Sequence, residues 1–166
     1  MKKIIITTCL LAAFAGISKA QTTNIAITEH DPVVKAKDDQ VKTEIIDPAR
    51  KAAQPREPDW DAIQKAVAAK FDPVTADRTV TKAKIYYYYA KDKAIFCTNI
   101  VKYTNNWELA NDYPLLNLNA GMILQSDHNP AEIKEALRWA KAAADSDPAN
   151  EKYKATYDAL KAKAGQ

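Results

Sequence analysis

Three glycines in 166 residues, at Gly16, Gly121 and Gly165, constrain this chain more than any other feature. Tight β-hairpin turns and bulges draw on positive backbone φ, which glycine supplies without strain. A chain with so few such positions, and rich in Ala, Lys, Asp and Leu, is expected to be helical. Its length suits one domain with a real core and falls short of two ordinary ones.

Residues 1–20 read as a secretory signal peptide. Met1-Lys2-Lys3 is a positive start, Ile4 to Ile17 is largely apolar, and Ser18-Lys19-Ala20 places small residues before a cut ahead of Gln21. The apolar run is shorter than the roughly 20 residues of a membrane-spanning helix. A lipidated Cys9 is the rival reading; it fits poorly, because Thr7 and Thr8 precede it and most of the apolar run lies downstream. The expected location is therefore the periplasm or the outside of the cell, with no membrane span in the mature chain.

Cleavage alters the charge. Removing Lys2, Lys3 and Lys19 takes the basic residues from 24 to 21, equal to the 21 acidic ones, so the formal +3 falls to zero. That balance argues against a nucleic-acid binder, which concentrates positive charge, and gives no overall steering toward anionic membranes. Cys97 remains as the one cysteine beyond the signal, so no intramolecular disulfide is expected.

Residues 21–57 read as a flexible or loosely docked linker. They hold Pro32, Pro48 and Pro55, many charges and no aromatic residue. Asn24 to Thr28 is the best short strand within them, and Val41 to Ile46 a short turn of structure. Residues 58–166 carry six helical patterns. Trp60, Ile63, Val67 and Phe71 form one stripe that Asp72-Pro73 ends. A second helix is expected from a cap at Asp77 to about Lys91. The third spans roughly Asp92 to Asn105 and the fourth Leu115 to Gln125. The fifth opens with Asn129 at N-cap, Pro130 at N1 and Glu132 at N3, a capping box. The sixth starts near Asn150. Short connections make successive helices antiparallel neighbours, and the fold class is all-α.

Ala136, Ala140 and Ala143, followed by Pro148, have the spacing of the second helix of a tetratricopeptide repeat. Small side chains let paired helices approach closely, and proline stops the helix before the next repeat. Pro114 lies one repeat period of 34 residues before Pro148. The first-helix signature is degenerate, with Ala120 where a tryptophan is usual. The expected architecture is thus about six helices in antiparallel, tetratricopeptide-like hairpins.

The stretch from Asp59-Trp60 to Gly165 also resembles the helical C-terminal region of secreted bacterial thioredoxin-like proteins. The residues that carry the likeness are Asp59-Trp60, Tyr86 to Tyr89, Leu118-Asn119-Ala120, Ala136-Leu137, Trp139-Ala140-Lys141, Asp147-Pro148 and Thr156-Tyr157 with Leu160, Lys163 and Gly165. The resemblance implies a shared helical module. It transfers no catalytic residue, because residues 21–57 are too few for a thioredoxin domain and no Cys-x-x-Cys pair exists.

Cys97, beside Phe96, is read as a small buried hydrophobe. His30 and His128, next to Asp31 and Asp127, are read as incidental surface residues and not as metal ligands. No Ser-His-Asp order, phosphate loop, zinc spacing or defensible carboxylate pair appears; Asp59 and Asp61 sit where acids favour a helix start, and Asp145 and Asp147 straddle a helix end. Four consecutive tyrosines cannot share one helical face. Tyr87 aligns with Val80, Ala83 and Ala90, and Tyr89 with Ile85 on the opposite side. Tyr88 aligns with Thr81, Lys84 and Lys91 and is expected to be exposed. Tyr88, with Trp107 in its polar segment, is the candidate partner-binding residue. The expected function is a non-enzymatic interaction or scaffold module with a protein or peptide partner, no cofactor and no metal. The alternative is an accessory part of a thiol-redox system, which requires Cys97 to be accessible.

Overall fold

The computed structural model describes residues 31–108, 110–126 and 129–165. Among these there is no strand: the chain is α1 (Pro32–Val41), a π-helical turn (Lys42–Ile46), α2 (Asp47–Ala53), α3 (Trp60–Lys70), α4 (Pro73–Tyr88), α5 (Lys93–Trp107), α6 (Tyr113–Leu124), α7 (Pro130–Ser146) and α8 (Glu151–Lys163). The signal segment and the short strand expected at 24–28 lie outside the described residues. None of the described helices is long and apolar enough to cross a membrane.

Local chemistry explains where the helices begin. Asp31, Asp59, Asp72, Asp92, Asp112, Asn129 and Asn150 each accept a hydrogen bond from a backbone N–H of the first turn that follows. Proline occupies the first turn of α1, α4, α6 and α7, where its missing N–H costs nothing. Asp72-Pro73 therefore ends α3 and starts α4 at once. The cap expected at Asp77 is displaced: Asp77 lies within α4 and pairs with Lys102 of α5. Gly165, with φ of 72°, follows α8 in the left-handed conformation that terminates helices.

Residues 21–57, read as a linker, contain the largest departure from expectation. Pro32 to Ala53 is continuous helix, with Val41 fully buried and Ile46 nearly so. Pro48 has no N–H for an α-helical bond four residues back, and the π turn before it absorbs the mismatch; there the Asp47 N–H donates to the Lys42 carbonyl. Charge pairs dock this brace onto the rest. Arg78 of α4 grips Asp38 of α1 with two donors, Nε at 3.0 Å and Nη2 at 2.5 Å, and its side chain is 4% exposed. Lys37 reaches Asp72 at 3.2 Å, and Lys70 pairs with Glu44.

From residue 58 onward the six expected helices are present and pack as hairpins. Trp60 at the start of α3 meets Tyr87 and Tyr88 at the end of α4. Tyr89, just after α4, meets Phe96 near the start of α5, while Asp77 meets Lys102 at the far ends. Both pairs are therefore antiparallel. The closest packing joins α6 to α7, α4 to α5 and α7 to α8. Helices α5 and α7 run in the same direction: Thr98 Oγ1 donates to Glu132 Oε1 at 2.7 Å, and Trp139 Nε1 to Asn105 Oδ1 at 3.2 Å, each across 34 residues of chain. Ala120 of α6 and the alanines 136, 140 and 143 of α7 are all fully buried, so small side chains line the tightest hairpin. Trp139, Phe96, Ile123 and Leu160 are the largest of the core's fully buried side chains.

Candidate functional site

The tyrosine run closes α4, and the structure sorts its members differently from the helical wheel. Tyr88 is 6% exposed, whereas Tyr86 is 69% and Tyr89 56% exposed. Tyr88 is buried because its hydroxyl has partners: it accepts from Trp60 Nε1 at 3.1 Å and donates to Glu57. A tyrosine enters a core once its O–H is satisfied. Its supposed polar companion Thr81 is likewise only 3% exposed. Burial, then the hydrogen bond to Glu57, pushes the Tyr88 hydroxyl up to about 12. Tyr87 stands edge-on to both Trp60 and Tyr88, with ring centroids 5.4 and 5.0 Å apart.

Trp107 is corrected too. It is 5% exposed and packs on Tyr103 at 5.7 Å. Its polar neighbours in sequence suggested a surface position, but at the end of α5 its ring turns onto its own helix. Tyr88 borders a hollow of about 390 Å³ with Asp59, Lys84 and Asn99, and Trp107 does not line it. The two residues picked out by sequence do not share a groove.

The residue with that property is Tyr86. Three hollows adjoin around its ring. One, of about 600 Å³, lies between α2, the segment after it with its cis Gln54–Pro55 peptide, and the end of α4; it is lined by Arg50, Lys51, Arg56, Lys91 and the rings of Tyr86, Tyr87 and Tyr89. The second, of about 380 Å³, lies between the brace and α4, with Asp38, Asp39, Lys42 and Asp47 facing Thr79, Lys82 and Tyr86. The third, of about 210 Å³, runs between α4, α5 and α6, where Ile85, Ile100, Leu115, Leu118 and Met122 line it beside Thr104 and Asn119. Leu118 is 52% exposed there.

Each stretch of this groove has its own electrostatic character. In the first hollow four cations stand against one carboxylate, Asp47, which Arg50 Nη1 approaches at 3.7 Å. Lys91 Nζ sits 3.5 Å from the centre of the Tyr87 ring and Arg50 Cζ 5.8 Å from it, a cation–π arrangement. Arg50 Nε is buried without an acceptor. The middle hollow mixes three aspartates with Lys42, Arg50 and Lys82. In the third, Asn119 Nδ2 donates to Thr104 Oγ1 at 3.0 Å and to Glu108 Oε2 at 2.7 Å, polar groups set among aliphatic ones.

Cys97 is fully buried; burial pushes its thiol up, and a hydrogen bond with Ser126 opposes that shift. No group of three His, Cys, Asp or Glu side chains is gathered among the described residues as a metal would need. His30, Asp127 and His128 lie outside them, while Asp31 caps α1. Sequence reasoning missed Tyr86, Arg50 and Arg56. The signal was present in the tyrosine run, but which tyrosine is covered depends on α3 and on the brace, neither of which a wheel of α4 contains.

No protein-family model matches the chain, and no curated protein or solved structure matches it either.

Proposed function

We propose that the chain is an exported, non-enzymatic interaction module that holds an extended protein or peptide segment in the groove around Tyr86. The observation that carries this reading is the position of that one ring, 69% exposed and bordering three adjoining hollows. Open hollows that share lining residues and carry aromatic and arginine side chains suit a linear ligand; a small substrate is better served by an enclosed cleft. Tetratricopeptide-like hairpins are part of the proposal. Their support is the parallel placement of α5 and α7 across 34 residues, together with the buried alanines of α7 and the Pro148 that follows it. The likeness to the helical region of secreted thioredoxin-like proteins adds an exported setting. The buried Cys97 gives the thiol-redox alternative no support.

Selection of peptides from a random displayed library against the purified chain tests the groove. Peptides so selected are expected to lose binding to a Tyr86→Ala variant that keeps the wild-type circular dichroism. Peptides that bind both proteins equally would overturn the groove. Amino-terminal sequencing of the exported product tests the first proposal on location, with Gln21 as the expected first residue.

A further inference from the structure

The groove is asymmetric, and its asymmetry specifies a ligand. Arg50, Lys51, Arg56 and Lys91 converge on the first hollow, opposed there by Asp47 alone. Lys51, Arg56 and Lys91 form no ion pair among the described residues, and Arg50 keeps one buried donor without an acceptor. This concentration of positive charge is at odds with the balanced composition of the chain beyond residue 20, so it is local in origin. It is assembled by the brace and the end of α4, from residues distant in sequence.

We propose that this end of the groove binds the carboxylates of an acidic peptide segment, whose apolar side chains continue past Tyr86 into the hollow lined by Leu115, Leu118 and Met122. The proposal rests on the groove reading above and adds the ligand's chemistry. Charge complementarity chooses the anion: carboxylates accept hydrogen bonds from guanidinium and ammonium groups, and each such bond is stronger than a neutral one. The middle hollow disfavours a uniform polyanion. Its three aspartates offset Lys42, Arg50 and Lys82, so phosphates or sulfates spaced evenly along a nucleic acid or acidic glycan would find no net positive charge there. Negative charge is therefore favoured at one end of the ligand. The third hollow, lined by Ile85, Ile100, Leu115, Leu118 and Met122 with Lys82 and Glu108 beside them, favours apolar side chains over a hydroxyl-rich sugar, and its two charged groups suit a peptide better than a lipid tail. An extended peptide gains about 3.3 Å per residue, so a few residues bridge adjoining hollows.

Fluorescence anisotropy with the full chain tests this. The probe is a short labelled peptide with an Asp/Glu-rich half and a Leu/Ala-rich half, prepared with a free and with an amidated C-terminus. Its isostere, with Asn and Gln in place of the acids, is the comparison, together with vesicles of anionic phospholipid and a sulfated glycan. The acidic peptide is expected to bind at least about tenfold more tightly than the isostere, with a difference that shrinks as salt rises. The Arg56→Glu/Lys91→Glu double variant should abolish that difference, while Lys65→Glu, at an exposed position of α3, leaves it intact. Parallel behaviour of the two C-terminal forms assigns the effect to side-chain carboxylates; a preference for the free acid assigns it to the chain terminus, and both fit the proposal. Equal affinity for acidic peptide and isostere, with binding still dependent on Tyr86, would overturn the charge assignment and leave the groove standing. Tighter binding of the vesicles or glycan than of the peptide would overturn the ligand class.

Discussion

The two ends of the molecule are held in place by different physics. At the C-terminal end, α6, α7 and α8 meet through fully buried alanines around Trp139, Ile123 and Leu160. At the N-terminal end, the α1–α2 brace inserts only Val41 and Ile46 deeply and is fastened by Arg78–Asp38, Lys37–Asp72 and Lys70–Glu44. Apolar packing stabilises through area and shape and responds little to pH or to charge screening. Ion pairs of long side chains are geometrically specific but contribute little net energy when exposed, and they respond to both. The hairpins are therefore held mainly by apolar packing, and the brace by two buried aliphatic side chains together with its ion pairs.

Four substitutions would break or sharpen that contrast. Trp139→Ala should cost the most, about 3–5 kcal/mol, by opening a cavity in the hairpin and removing one of the two donors to Asn105 Oδ1, the other being Arg138; a lowered midpoint in urea unfolding checks it. Asp38→Asn should cost up to about 3 kcal/mol, the low end for a broken buried pair because Asp38 is 18% exposed. Its effect should be local: protease cleavage near Pro55 under native conditions, with α3 to α8 still folded. Retained protection of that segment would show that the brace does not depend on its ion pair.

Tyr88→Phe should cost about 1–2 kcal/mol, since it leaves the Trp60 N–H and Glu57 without their shared partner. The same hydroxyl sets a pH dependence. Burial and Glu57 raise it from its ordinary 10 to about 12, so the unfolded chain loses this proton first. The stabilisation is complete below pH 10 and is lost as pH rises from 10 to 12; the phenylalanine variant should lose stability less steeply over that window, as measured by chemical denaturation at stepped pH. Tyr86→Ala should be the mildest, within about 0.5 kcal/mol of wild type, because its ring is largely in solvent. A clear loss of stability in this variant would mean that Tyr86 serves packing.

The legibility of this chain in its sequence follows the same division. The all-α class, the starts of α3, α5, α7 and α8, and the alanine stripe of α7 are readable because caps and periodic small residues are local signals, whereas α6 starts at Tyr113 behind an Asp112 cap, two residues before the expected Leu115. The brace is not, since prolines and charges in sequence read as breakers, whereas Pro32 and Pro48 occupy first-turn positions and the charges find partners up to 40 residues away. The site was half legible. The tyrosine run drew attention to the right turn of α4, yet the exposure of Tyr86 and the burial of Tyr88 are set by Trp60 and Glu57, from another part of the chain. Periodicity describes one helix at a time, while burial is a property of neighbours.

The Arg78–Asp38 clamp has a thermodynamic corollary. The wall that carries Arg50 and Lys51 is covalently tied to α1, so the first hollow is complete only while the brace is docked. A ligand spanning α2 and α4 would then bind one state of the brace in preference to the other, and its free energy would be shared with that docking equilibrium. Reciprocity follows: docking of the brace raises ligand affinity by the same factor by which ligand favours docking. An ion pair in the wall of the middle hollow would thus set how fully the hollow beside it is formed.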